Sequence, residues 1–522
     1  MCPLGIDLCK DDDILVICTA TKDEGGGGGE AMYEPEPGIR TGLIPKIKLG
    51  FHQYLPINEV MEELTSLGKI AGPILIISLL LHSKSIISML FLGYLGDIEL
   101  AGGSLALGFA NITGYSIIKG LAKGMESICS QAYGARRWSV LTQTYQKTVV
   151  LLVLATIPIS LLWLNMEKIL LWLSQNPNIT SVASVYITYS LPDLFAQAHL
   201  HPIRIFLRAQ NLTTPLTVTA LVALILHLPI NYFLVIYLKL GVAGVALAAA
   251  WNTVNLNIGL LCYLALSETA LKPWKTPMSF LCFRGWQPLL ALAVPSALSV
   301  CLEWWWYEVM VLFCGLLSNP EANLAAMGIL IQTTGLIYVF PSSLNLGLSM
   351  RVGHQLGADQ PTRAQLATLI GLAIAVICGF TALLLSFCVK NVLGTIFTCD
   401  PQTLVLVSVA LPILGFCELG NCPQTAACGV LTGSARPKVG ANINFISFYL
   451  IGLPVAIILG FGFNIGFKGL WLGLVAAQLS CLCMMVFALV CTDWKHQVKR
   501  AQDLTQEADN ETKVDLQESL LC

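Results

Sequence analysis

The chain has 522 residues, 55% hydrophobic and only 11% charged, with a formal net charge of −2. Soluble domains carry about 25% charged residues, so a water-soluble enzyme of this length is excluded for want of charge to cover its surface. The near balance of 29 basic against 31 acidic residues also excludes a nucleic-acid-binding face. The acids are unevenly spread: 12 lie in residues 1–70 and 7 in 492–522, leaving 31 − 12 − 7 = 12 for the 421 residues between. Two polar tails therefore flank a membrane body.

Residues 1–70 show no signal peptide, since no basic stretch precedes an apolar run with a small-residue cleavage site. Asp11-Asp12-Asp13 and the glycines Gly25–Gly29 predict a disordered tail, because nothing there can bury a core. Twelve apolar segments follow, at roughly 72–95, 101–124, 144–164, 180–200, 215–238, 241–266, 288–316, 323–350, 366–389, 402–423, 438–463 and 467–491. Each is long enough to cross about 30 Å of hydrocarbon as a helix, and an open strand cannot satisfy its backbone there. Pro158, Pro192, Pro229, Pro295, Pro341, Pro412 and Pro454 interrupt spans and predict kinks. From Asp493 onward the chain is charged and reads as a solvated tail with a helical start. The 18 cysteines lie mostly inside apolar runs and no CxxC pair occurs, so they read as small hydrophobes, with no metal site.

Orientation follows from Lys and Arg in the short loops. Loops after even-numbered spans carry twelve (Arg136, Arg137, Lys147, Arg204, Arg208, Lys272, Lys275, Arg284, Arg351, Arg363, Arg436 and Lys438), and loops after odd-numbered spans carry four (Lys168, Lys239, Lys390 and Lys468). Both termini are thus expected in the cytoplasm.

The two halves match at a nearly constant offset. Gly134-Ala135 matches Gly357-Ala358 (357 − 134 = 223), Pro177 matches Pro401 (224), Pro192 matches Pro412 (220), Pro229 matches Pro454 (225), and GVAGVAL from 241 matches GFKGLWL from 466 (225). Each repeat holds six spans, an even number, so both insert with the same orientation and are related by an axis along the membrane normal. The expected fold class is an all-α integral membrane protein of twelve transmembrane helices in two six-helix lobes related by a pseudo-two-fold axis. The expected organisation is a cytoplasmic tail at 1–70, an N-lobe at 71–266, a linker at 267–287, a C-lobe at 288–491 and a cytoplasmic tail at 492–522. Two lobes facing across a central cavity is a transporter plan.

GMESICSQAYGA (124–135), FLRAQN (206–211), LPIN (228–231), CLEWWWYE (301–308), RVGHQLGA (351–358) and ELGNCPQTAACGVLTGSARPK (418–438) resemble the multidrug and toxic compound extrusion family, and within it the plant detoxification proteins. The resemblance covers about residues 65–500. It implies efflux of small organic solutes, coupled to protons or sodium, by alternating access. Plant members are usually proton-coupled, and the Glu of CLEWW is their proposed proton and substrate site. The implied residence is the plasma membrane or an endosomal, Golgi or vacuolar membrane, with no enzymatic activity and no cofactor beyond the gradient.

An ionisable residue within a span is costly and defaults to a functional hypothesis. Glu303 sits mid-span, eight residues after Pro295, and is the first candidate for proton exchange. Glu308, five residues on, points about 140° away and either lines a cavity mouth or bonds a neighbouring helix. Glu418 and Asn421 share one helical face. The family's usual acid falls nearer Asn421, so Glu418 would serve from the previous turn. Glu126, followed by Arg136 and Arg137, reads as a structural ion-pair member or a gate contact, and Arg136, Arg137 and Arg351 read as setting orientation and cytoplasmic gating rather than solute choice. Asp193 either caps a broken helix or faces the N-lobe cavity. Lys84, Lys119 and Lys123 are possible cationic partners, and His82 and His227 could titrate. Where prokaryotic relatives carry an Asp late in span one this chain has Ser88, which shifts the expected coupling to the C-lobe and weakens a sodium site. Trp304 and Tyr307, from an aromatic run that covers every direction of its helix, join Gln332, Asn345 and Asn111 as cavity-lining candidates. Acids on the C-lobe favour neutral or cationic solutes. Two other readings stay open: a transporter-fold regulator acting on soluble partners through its tails, and a lipid-linked glycan flippase, which would want a strongly cationic cavity.

Overall fold

The computed structural model describes residues 57–172, 175–270 and 285–506. Every regular element among them is helical, as a backbone surrounded by hydrocarbon requires. Eleven helices are long and apolar enough to cross a membrane. Together with a broken fourth crossing they number α1 (Ile57–Leu95), α2 (Ile98–Gly134), α3 (Trp138–Leu164), α4 (Pro177–Tyr189 continued by Leu191–Ala209), α5 (Thr214–Tyr237), α6 (Gly241–Leu266), α7 (Gln287–Gly315), α8 (Pro320–Gly357), α9 (Pro361–Val389), α10 (Pro401–Gly433), α11 (Pro437–Gly462) and α12 (Phe467–Val490). The chain turns at Ser190 because Pro192 has no N–H to continue the ladder. The second part of α4 carries Asp193, His199, His201, Arg204 and Arg208, and these polar groups are what lower its hydropathy.

Three expectations need correction. The first span starts at Ile57, not near 72, so residues 57–70 are helix rather than disordered tail. The acids Glu59, Glu62 and Glu63 hid this helical extension from a hydropathy reading, yet Glu63 is buried against Arg351. Arg204 and Arg208 belong to α4 itself, not to the loop after it. The expected solvated C-terminal tail is helical over 494–506 and packs on the body: Trp494, Val498 and Ala501, on one helical face, join the core of the second half. The linker expected at 267–287 and the N-terminal 1–56 lie largely or wholly outside the described residues.

The internal repeat is written in the backbone. Left-handed positions at Gly96, Arg136, Asn211, Lys239 and Gly241 recur at Asn319, Asp359, Ala435, Asn464 and Gly466. The offsets are 223, 223, 224, 225 and 225. Buried apolar side chains form two clusters, one drawn mainly from α1–α6 and one from α7–α12.

The halves meet through equivalent pairs of helices. On α2, Gly124 lies against Ala293 of α7; on α8, Gly347 lies against Ala71 of α1. Small residues let the backbones approach, which is how helices associate where lipid offers no hydrophobic drive. At one end of the bundle the contact becomes an interlock. A Cβ on Gly134 would strike the His354 carbonyl, and one on Gly357 would strike the Gln131 carbonyl. Gln131 Nε2 donates to the Gly433 carbonyl at 2.9 Å, while His354 Nε2 lies 2.9 Å from the Ala209 carbonyl. Since 354 − 131 = 223 and 433 − 209 = 224, these are one contact made twice. Ser127 Oγ adds a bond to the Thr432 carbonyl at 2.7 Å.

Gly357→Val is expected to force this end apart. Cys129, buried near the interlock, should then react with a membrane-permeant maleimide when it is the only cysteine retained, whereas the same background with Gly357 intact should resist labelling.

Candidate functional site

A cavity of about 280 Å³ opens within the first half, walled by α1, α2, α4 and α6 and roofed by Trp304 of α7. Asp193 stands in the first turn after the break in α4, where the helix N-terminus favours an anion. It accepts hydrogen bonds from Tyr115 Oη (2.7 Å) and from Thr253 Oγ1, and Lys84 Nζ lies 3.9 Å away. Lys84 also donates to Thr253 Oγ1 at 3.2 Å. The sequence left Asp193 between a helix cap and the N-lobe cavity; it faces the cavity. This half therefore keeps a carboxylate despite Ser88, which lines the same cavity and lies 3.2 Å from His227 Nε2. A periodicity reading had no means of bringing α4 and α6 onto α1.

The wall at Asn111–Tyr115 is a π-helical turn, a distortion found often at functional sites. Asn111 lines the cavity there. Trp305 Nε1 donates to the Ile112 carbonyl in the same turn at 3.1 Å. The aromatic run of α7 thus divides three ways. Trp304 faces the cavity with Lys119 Nζ 4.6 Å from its ring, Trp305 pins α2, and Trp306 is buried against Phe448 and Tyr449.

Glu303 lies at the junction of the halves, where it interacts electrostatically with Lys119 and Lys123 of α2. Pro295, one helical stretch earlier, sits inside α7. Glu308 approaches Gly108 of α2. In the second half Glu418 is 1% exposed. It accepts from Thr334 Oγ1 of α8 and from Asn421 Nδ2 at 2.9 Å. Asn421 Oδ1 in turn accepts from Thr425 at 3.3 Å. Tyr307 interacts electrostatically with both Glu418 and Glu303, so the sequence candidates of α7 and α10 converge on one region. Thr334 was not foreseen; a lone Thr in an apolar span gives no signal. Asn345 is buried and donates to the Thr425 carbonyl at 2.5 Å, bracing α8 on α10, while Gln332 is exposed.

The MatE family model matches residues 73–233 and again 295–458. The starts differ by 295 − 73 = 222 and the ends by 458 − 233 = 225, the spacing of the repeat. The chain belongs to the MATE family. It is 56% identical over 450 residues to Protein DETOXIFICATION 53 of Arabidopsis thaliana, covering 86% of this chain and 93% of the relative. It is 54% identical to Protein DETOXIFICATION 49 of the same plant, covering 86% and 89%. Among solved structures it is similar to the eukaryotic MATE transporter AtDTX14, with a TM-score of 0.82, 30% identity and coverage of 86% and 100%. The Vibrio cholerae MATE transporter VcmN in its bent form shares the fold at a TM-score of 0.68 and 18% identity, with coverage of 88% and 99%. The protein is thus a multi-pass MATE transporter of the plant DETOXIFICATION type, an efflux antiporter of small organic compounds and not an enzyme.

Within this MATE fold the candidate gating residues tie helices together at the interlocked end. Glu126 is paired with Arg208 at 3.7 Å, joining α2 to α4; the sequence suggested the nearer Arg136 and Arg137. Arg137 instead holds the C-terminal helix, donating to the Gln502 carbonyl at 3.2 Å and to Thr505 Oγ1 at 3.0 Å. Arg136 occupies a left-handed turn position, φ 58°. Arg351 of α8 donates twice to Glu63 of α1, both at 2.6 Å, the bidentate geometry that fixes direction as well as distance.

Removing one partner leaves a charge in a nearly dry site. Arg351→Gln is expected to lower stability by about 3 kcal/mol. Glu63→Gln combined with Arg351→Gln should recover a large part of that loss in a thermal-unfolding series, because neither charge is then left alone.

Proposed function

We propose that the chain is a proton-coupled antiporter in which Glu303 and Glu418 carry the exchanging protons and the halves alternate access to the solute. The observation that supports this most is the setting of Glu418. Its carboxyl is buried, its neighbours are donors, and no cation pairs with it among the described residues. An ion pair would hold a carboxylate in one charge state. Hydroxyl and amide partners support the ionised form when water enters, and the closed site admits the neutral acid. Asn421, which stands near the position of the family's usual acid, acts here as a donor to Glu418.

Glu303 supplies the link to conformation. It is the acid on α7 that faces Lys119 and Lys123 on α2, so its charge sets the attraction between the halves at their shared seam. Antiport needs proton and solute to favour opposite arrangements; each then shifts the other's affinity by the same factor. The two ligands do not have to touch. Pro295 gives α7 a place to bend as the seam changes. The excess of basic residues at and beside the loops after even-numbered spans, which survives the placement of Arg204 and Arg208 in α4, supports a cytoplasmic position for both termini, and hence for the interlocked end; the opposite end would then be the open one. Asn111 and Trp304 line the cavity on the side that faces the seam.

In proteoliposomes with an imposed pH gradient, Glu303→Gln is expected to abolish gradient-driven solute movement while leaving energy-independent exchange measurable. Glu418→Gln should do the same or shift the pH dependence. Full gradient-driven transport by well-folded Glu303→Gln and Glu418→Gln proteins would reject the assignment.

A further inference from the structure

The cavity of the first half has the opposite polarity to the acids of the second. Lys84, Lys119 and Arg204 line it, with Arg208 one turn beyond Arg204 on α4. Asp193 is the acid in its lining, with Glu126 near Arg208 and Glu303 near Lys119. With histidine counted neutral the lining carries an excess of 3 − 1 = 2 positive charges. The acids are also already engaged: Asp193 with Lys84, Tyr115 and Thr253, Glu126 with Arg208, and Glu303 shared between two lysines. Among the described residues no acid lies within ion-pair distance of Arg204 or Lys119, yet both line the cavity. These cations also repel one another: Lys119 interacts with Arg204 and Arg208, and Arg204 with Arg208.

Like charges held together in a low-dielectric wall are costly unless a counter-charge enters. The rest of the lining says what kind of counter-charge fits. Tyr115, Tyr186 and Trp304 offer ring faces and edges, and Leu107, Leu200 and Leu256 offer apolar surface. A small inorganic anion would leave these without partners. A guanidinium presents its donors as a planar fork matched to a carboxylate.

We infer that the cavity between α1, α2, α4 and α6 is a binding site for an organic anion with an aromatic or apolar body, its carboxylate against Arg204 and Lys119 and its body against Tyr115, Tyr186 and Trp304. This reverses the preference for neutral or cationic solutes drawn from the acids of the second half. It rests on the transporter reading only in calling the bound molecule the solute; the binding itself needs no gradient. A lipid-linked diphosphate would seek the same cations but would leave the ring faces unused.

The test is calorimetry on the full-length protein in detergent, with 2-naphthoate, its cationic analogue 2-naphthylmethylammonium, and inorganic pyrophosphate as probes. 2-Naphthoate should bind about tenfold tighter than the cation, the scale of one charge-assisted hydrogen bond. Arg204→Gln and Lys119→Gln should each weaken 2-naphthoate by about that factor while leaving the cation unchanged or improved. Arg204→Lys should recover part of the loss, which separates recognition from misfolding. Glu303→Gln should still bind 2-naphthoate. Loss of driven transport in that variant with binding intact concerns coupling alone, so a failure of the proton reading and a failure of the anion site appear in different measurements. Tighter binding of the cation, tighter binding of pyrophosphate than of 2-naphthoate, or unchanged 2-naphthoate affinity in Arg204→Gln would each overturn the assignment.

Discussion

Charge has nowhere to go inside this protein except to another helix. In water an unpaired Lys or Glu keeps its hydration shell; in the body of a bilayer it must find a partner or a cavity. That constraint orders the architecture. Glu63 and Arg351 bind α1 to α8, Glu126 and Arg208 bind α2 to α4, and Asp193 with Lys84, Tyr115 and Thr253 gathers α4, α1, α2 and α6 into one wall. The first of these pairs crosses between halves and the other two lie within one half. The resulting pattern is a first half braced internally by charge and joined to the second along extended seams of α2 with α7 and α8 and of α1 with α8.

Those contacts differ in kind along the seam. At the interlocked end, backbone meets backbone at Gly134 and Gly357, and side chains bond the carbonyls that end α4 and α10. Helix ends leave carbonyls without partners inside their own helix, so Gln131 and His354 satisfy groups that would otherwise need water. The interlock is stable when closed and solvable when open, since water can replace each bond on separation. Further along, the seam passes through Ala297 on Gly120, then Glu303 facing Lys119 and Lys123. Packing, backbone bonds and the Glu63–Arg351 pair hold the interlocked end, while further along the seam Glu303 faces two lysines.

The repeat and the helical class were legible in the sequence because they depend on local patterns: apolar runs of span length, prolines and glycines recurring at about 223–225 residues. The acids of α7 and α10 were legible because an isolated carboxylate in an apolar run has few uses. Three things were not. The extension of α1 to Ile57 carries Glu59, Glu62 and Glu63, and only the position of Arg351 far along the chain explains a buried acid there. The C-terminal helix shows its apolar face at Trp494, Val498 and Ala501, but Arg137, its anchor, lies on the other half of the chain. Arg204 and Arg208 looked like loop residues because hydropathy counts a charge against a span without asking what it faces. Each miss has the same cause: a charge was judged by its sequence neighbours, and its partner was supplied by another helix.

That cause also bears on how polarity divides between the halves. Both repeats descend through the same backbone, with left-handed turns and small-residue contacts at matching positions. Their interiors nevertheless hold opposite charge: Lys84, Lys119 and Arg204 in the first cavity, Glu418 with neutral donors in the second. A duplicated scaffold permits this because the fold is fixed by the seam and the helix ends, leaving the inward faces free to diverge. The proposed proton sites lie in one half and the proposed solute-facing cations in the other, so on that reading the two ligands do not compete for the same atoms. Communication then passes through the seam, where Glu303 on α7 confronts Lys119 on α2, and Lys119 is also the residue that reaches the cavity beneath Trp304. One side chain therefore belongs to both environments, so a change of charge on Glu303 alters the field in the cavity through Lys119.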